Sequence, residues 1–228
     1  YYDEFGVIRD VLQNHILQML SLVAMEPPRS LSADDIRDAK VAVLRDMRTL
    51  DLPDLVLGQY GRSEDGTVPG YTDDETVPSG SITPTFCFAV GYIDNERWRG
   101  VPFIMRTGKG LDSQKAEVRI QFKDPHSGLF GNGTTDDPSS ELPRNELVMR
   151  VQPNEAIYMK MVSKRPGLTL DTVLTDLDLN YRDSFEGLRI PDAYEALLLD
   201  VLNGEQANFV RRDELDQAWR IVTPVLHR

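Results

Sequence analysis

Apolar residues recur near a 3.6-residue period at Ile8, Val11, Leu12, Ile16, Met19, Leu20 and Val23, which predicts an amphipathic helix over residues 3–25. Asp3 stands where an N-cap is expected, and Pro27-Pro28 stops the pattern. Ser32-Ala33-Asp34-Asp35 resembles a capping box and opens a second helix reaching about Met47. Leu55–Tyr60 reads as a short strand, and residues 61–82, rich in Gly, Asp, Pro and Ser, as a long loop.

The texture then changes to strands. Thr83–Ile93, Pro102–Arg106, Glu117–Lys123, Glu146–Gln152 and Glu155–Ser163 carry β-branched and aromatic residues. Arg119 and Gln121 alternate with Val118, Ile120 and Phe122; Arg150 and Gln152 alternate with Leu147, Met149 and Val151. That is the pattern of an antiparallel sheet with one face on a core. Residues 124–145 read as a second polar loop, and helices over Pro191–Leu202 and Asp213–Ile221 close the chain. Strands grouped in the middle with helices at both ends give an α+β class. The expectation is one domain, residues 1–228, with a large, mostly antiparallel sheet and helices on one face and at both ends.

The 228 residues carry a formal net charge of −12. A field of that sign repels nucleic-acid phosphates and anionic membranes, so neither is an expected partner. Any anionic ligand must be held by a local basic cluster. Cys87 is the one cysteine, so no internal disulfide forms and a reducing compartment suits the chain. The longest apolar stretch, Ile16–Met25, is interrupted by Gln18 and Ser21 and is too short to span a bilayer. The start, Tyr1-Tyr2-Asp3-Glu4-Phe5, reads as a point inside something longer.

Three features bear on chemistry. Gly108-Lys109-Gly110-Leu111-Asp112-Ser113 is one residue short of a dinucleotide fingerprint. The strand resuming at Glu117 leaves no room for a crossover helix, so the glycines read as a turn presenting Lys109. His15 lies beside the apolar stripe of the first helix. Periodicity favours a core histidine bonded to a carbonyl; a partly desolvated general base is the other reading. Asp10, five residues earlier, falls roughly 140° round an α-helix and cannot orient it. Arg106, Lys109, Lys115, Arg119, Arg150 and Lys160 all lie on or beside strands. They form either a solvated, ion-paired sheet face or a phosphate-binding surface.

Tyr1–Pro27, Asp94–Trp98, Thr107-Gly108-Lys109, Lys115–Phe122, Arg144–Glu155, Pro191–Glu195 and Asp213–Pro224 resemble, in order, motifs of glucose-6-phosphate dehydrogenases. The resemblance implies the C-terminal, substrate-binding and dimerising part of an NADP-dependent oxidoreductase of the pentose phosphate pathway, cytoplasmic and a homodimer or dimer of dimers. By it, His15 is the catalytic base, Asp10 binds the sugar, and Lys109 and Gln152 contact glucose 6-phosphate. Gln114 stands where the family often has a substrate-contacting arginine, and glutamine cannot supply that charge. Arg106, Lys115, Arg119, Arg150, Tyr158, Lys160 and Asp178 match positions that hold a second, non-catalytic NADP in some members. The family's Rossmann domain and the segment carrying the carboxylate partner of the base are not in this span, so residues 1–228 alone are expected to be inactive. A non-catalytic module that binds sugar phosphate or dinucleotide and dimerises is the alternative. No metal is implied.

Overall fold

The computed structural model describes residues 1–123, 143–169, 171–180, 184 and 191–226. Most of the second polar loop, 124–145, therefore lies outside the described residues. The chain forms two compact units, Tyr1–Leu111 with Pro191–Arg228, and Asp112–Ile190.

In the first unit a helical run comprises α1 (Tyr2–Val7), a π-helical segment (Ile8–Ile16) and α2 (Leu17–Ala24). Gly6 breaks α1 with φ 70° and ψ 171°. A side chain there would be strained by the backbone conformation, while its Cβ would meet Thr83 and Pro84 only at ordinary contact distance. Asp3 is not the N-cap: Tyr1 holds that position without a side-chain hydrogen bond, and Asp3 is engaged elsewhere. α3 (Ala33–Asp46) opens as expected, with the Ser32 hydroxyl accepting from the Asp35 N–H. α4 (Ala193–Asn203) and α5 (Arg212–Val222) follow the expected closing helices to within two residues at each end.

The first sheet is antiparallel, in the order β1 (Leu55–Gly58), β2 (Phe86–Gly91), β3 (Phe103–Gly108). Alternation in β2 buries Cys87 and Ala89, and in β3 it buries Met105 and Thr107. The apolar ones join Leu12, Leu17, Leu20, Leu44, Met47, Ile221 and Val222 in one core. Burial pushes the Cys87 thiol up to about 11. Two helix ends are finished by distant side chains. Trp98 Nε1 donates to Ala24 O at 2.8 Å, and Arg220 donates to Leu44 O and Met47 O, each at 2.8 Å.

The second sheet is antiparallel, in the order β4 (Ala116–Gln121), β5 (Glu146–Gln152), β6 (Ala156–Lys164), β7 (Thr172–Asn180). The α+β class and antiparallel pairing are as expected; the strands are divided between sheets of three and four. β7 was not expected, although Asp176-Leu177-Asp178-Leu179 alternates. Register puts Arg119, Arg150, Tyr158 and Asp178 on one face and Met149, Ile157 and Leu179 on the other, as the alternation in β4 and β5 required.

A buried ion pair joins α3 to α5. Lys40 Nζ is 2.7 Å from Glu214 Oε1 and donates to Gln18 Oε1 at 2.9 Å. Glu214 is wholly buried. Apart from that ion pair, neither of its oxygens has a hydrogen-bond partner among the described residues. Lys40→Met strands a buried carboxylate and should destabilise the fold by about 3–5 kcal/mol, whereas Lys40→Met/Glu214→Leu should recover most of the loss. Denaturant midpoints of the two variants check this; equal losses would contradict it.

Candidate functional site

The π-helical segment decides the first cluster. In it N–H groups reach back five residues rather than four, as Leu17 N–H does to Leu12 O at its end. Asp10 and His15 are thus one turn apart on neighbouring positions, not roughly 140° apart as α-helical winding would place them. His15 is exposed, and among the described residues its imidazole has no hydrogen-bond partner. The core-histidine reading therefore does not hold. The expected partial desolvation is not supplied by this chain either.

Lys109 follows β3. Its N–H donates to Thr85 O at 2.9 Å. The turn depends on Gly110, at φ 67°, where a Cβ would come within 3.1 Å of the Tyr60 ring. Lys109 Nζ lies 3.7 Å from Asp10 Oδ2 and 4.0 Å from the centroid of the Tyr2 ring. The lysine side chain remains 48% exposed and the Asp10 carboxylate 28%. Asp10, His15 and Lys109 thus belong to one unit, and an accepting carboxylate and a donating cation sit side by side. Because β4 resumes at Ala116 with no helix after β3, Gly108–Ser113 is a turn and not a dinucleotide loop. Gln114 and Gln152 belong to the other unit, both exposed, Gln152 at the end of β5.

On the second unit, Arg150, Tyr158, Lys160 and Asp178 line a 470 Å³ depression with Asn154, Ala156, Asp176 and Asn180. Arg150 donates to Tyr158 Oη at 3.4 Å, while its buried Nε has no partner among the described residues. Lys115 and Arg119 meet Glu117 Oε1 at 3.0 and 2.8 Å, and Arg119 also reaches Glu146 at 3.2 Å. Burial works against the Glu117 charge, yet hydrogen bonds from Arg119 and Lys115 hold its carboxyl below the usual range. The basic group is therefore interleaved with Glu117, Glu146, Asp176 and Asp178 on one face. Arg106 and Lys109 belong to the first unit instead. Arg106 is exposed, its guanidinium 5.9 Å from the Phe86 ring centroid. Among the described residues no group of acidic, His and Cys side chains could hold a metal.

The family model "Glucose-6-phosphate dehydrogenase, C-terminal domain" matches residues 1–228. The chain belongs to that family. The glucose-6-phosphate 1-dehydrogenase of Aspergillus niger is 59% identical over 227 residues, covering 100% of this chain and 43% of the relative. That of Dictyostelium discoideum is 56% identical over 226 residues, covering 99% and 44%. A solved glucose-6-phosphate dehydrogenase "in complex with its substrate glucose-6-phosphate" superposes with a TM-score of 0.89 at 49% identity, covering 99% of this chain and 45% of that one. The Mycobacterium avium glucose-6-phosphate 1-dehydrogenase gives 0.80 at 35%, covering 99% and 45%. The chain thus spans less than half the length of these relatives.

The support under Lys109 has no signal in the sequence. Residues 61–82 looked like a polar loop, yet Tyr71 is buried. It donates to Asp3 Oδ1 at 3.0 Å, and Ser81 donates to the same oxygen. Tyr71 packs edge-on against both Tyr2 and Tyr60. The Ser81 bond holds the Asp3 carboxyl below its ordinary 3.8, with burial opposing and Tyr71 assisting. Burial, then the bond to Asp3, pushes the Tyr71 phenol up to about 12.

A depressed acid contributes stability above its unfolded value and loses it as pH falls through the folded one. A raised phenol contributes below its unfolded value and loses it as pH rises through the folded one. The melting-temperature difference between the native protein and Tyr71→Phe should therefore be flat from about pH 5 to about pH 9. It should shrink as pH falls below 3.8, and again as pH rises from 10.0 towards about 12. A difference that does not change with pH would refute the assignment.

Proposed function

We propose that this chain is the substrate-binding part of an NADP-dependent dehydrogenase that oxidises glucose 6-phosphate at C1 to the 6-phosphogluconolactone, the first step of the pentose phosphate pathway. Support comes from the family, from the substrate-bound relative, and above all from Lys109 and Asp10 meeting at 3.7 Å on the π-helical segment that carries His15. NADP, when bound, supplies the hydride acceptor. The remaining chemistry belongs to side chains. His15 accepts the proton of the C1 hydroxyl while the C1–H bond yields its electron pair as hydride, leaving the lactone carbonyl. Asp10 accepts hydrogen bonds from sugar hydroxyls, and Lys109 provides positive charge in a chain of net charge −12. Gln152 offers an amide, and Gln114 another, the latter neutral where the family often carries an arginine. Residues 1–228 by themselves would bind substrate without turning it over. The two units work as one domain, a reading supported by the single family match over the whole chain.

His15→Asn in the full-length enzyme should slow turnover roughly 10²- to 10⁴-fold. KM for glucose 6-phosphate should change far less, and the acidic limb of the rate–pH profile should vanish. Near-normal turnover per folded molecule, with that limb intact, would remove His15 from the mechanism.

We further propose that the polar face of the second sheet holds a second, non-catalytic NADP. Arg150, Lys115, Arg119 and Lys160 would meet its phosphates, and Tyr158 and Asp178 its polar ring and sugar groups. The unpartnered Nε of Arg150 beside the depression supports this, since buried guanidinium donors are ordinarily satisfied. The protein is read as a cytoplasmic homodimer or dimer of dimers. Among the described residues no helix is long and apolar enough to cross a membrane. Arg150→Ala should weaken equilibrium binding of NADP to the second site about tenfold or more, the usual worth of a charged hydrogen bond, with the remaining affinity falling as salt rises. Unchanged affinity would overturn the second site.

A further inference from the structure

Lys109 has no side-chain hydrogen bond among the described residues, although Asp10 is close. The 3.7 Å separation is an ion-pair distance beyond hydrogen-bond reach. Its other organising contact is the face of Tyr2, with Nζ 4.0 Å from the ring centroid. That ring is itself fixed. Tyr2 Oη donates to Pro84 O at 3.2 Å, and Tyr71 packs edge-on at 6.0 Å with planes at 77°. The Lys109 N–H is anchored one residue on, at Thr85 O. Ring and lysine are therefore tied to consecutive residues of one strand entry, so their spacing is set by the backbone.

We propose that Tyr2 is a positioning residue for substrate binding, holding the Lys109 ammonium by its ring face so that it stays in place with no carboxylate on it beyond Asp10. This rests on the reading of Lys109 as a substrate contact. A second carboxylate in the place of Tyr2 would also hold the ammonium but would cancel its charge. An aromatic face attracts a cation through its quadrupole and carries no net charge. The cation then remains available to an anionic sugar phosphate, against a protein of net charge −12. Burial and the nearby Asp10 charge push the Tyr2 phenol up, so the ring stays neutral throughout the working range.

The test uses the full-length enzyme with Tyr2→Phe, Tyr2→Leu, pentafluorophenylalanine at position 2, and Lys109→Met. Pentafluorophenylalanine keeps the shape of phenylalanine and reverses the polarity of its face, which guards against a leucine variant that fails to fold. KM for glucose 6-phosphate should rise roughly two- to fivefold with leucine or the fluorinated ring, the usual worth of a partly exposed cation–π contact. The kcat should hold, as for a loss of uniform binding, and phenylalanine should behave as native. In a Lys109→Met background the leucine change should add nothing. If the fluorinated and plain rings give the same KM, or if the leucine effect persists without Lys109, Tyr2 does not act through Lys109. If Lys109→Met itself leaves KM unchanged, the reading of Lys109 as a substrate contact fails, and this proposal with it.

Discussion

The wide winding of Ile8–Ile16 is the constraint on which the first cluster depends. A π-helical segment is an uncommon conformation and needs external support. Here Ile8 and Leu12 are sunk in the core, Val7 N–H is bonded to Pro84 O, and Trp98 closes the end of α2. The run is thus held before and after the segment. With the winding fixed, Asp10 and His15 come onto adjacent turns, and Asp10 meets the lysine presented by the glycine turn after β3.

The same unit places much of its polar chemistry inside. Lys40 and Glu214 are buried together, and Arg220 gives its guanidinium to carbonyls at the end of α3. Each of these binds one helix to another through groups that tolerate few alternative partners. Two buried charges give back much of their attraction as desolvation.

The second unit follows a different logic. Its four strands sort polar and apolar residues onto opposite faces, and the polar face mixes cations with carboxylates. Glu117 organises Lys115 and Arg119, while Arg150 is left with an unused donor over a depression. Ion pairing and ligand capacity coexist there. The sequence leaves open a solvated, ion-paired face or an anion-binding one, and the ion pairs of Lys115 and Arg119 lie on the same face as the unused donor of Arg150.

Much of the fold was legible because its signals are local. Apolar spacing identified the helices, alternation assigned faces in β4 and β5, Ser32 marked a helix start, and the distance from Gly108 to the next strand ruled out a crossover helix. Motifs in order named the family. What the sequence could not show depended on contacts distant along the chain. Asp3 resembled a cap but bonds to Tyr71 and Ser81, some 70 to 80 residues away. His15 resembled a core residue because an α-helical period was assumed, and packing imposed a π-helical one. Tyr71 lay in a loop whose composition gave no sign of burial, and Tyr2 had no visible reason to face Lys109. Helix and strand periodicities are properties of neighbouring residues and survive in one dimension; the partner that satisfies a carboxylate or covers a cation is chosen only when remote segments are brought together.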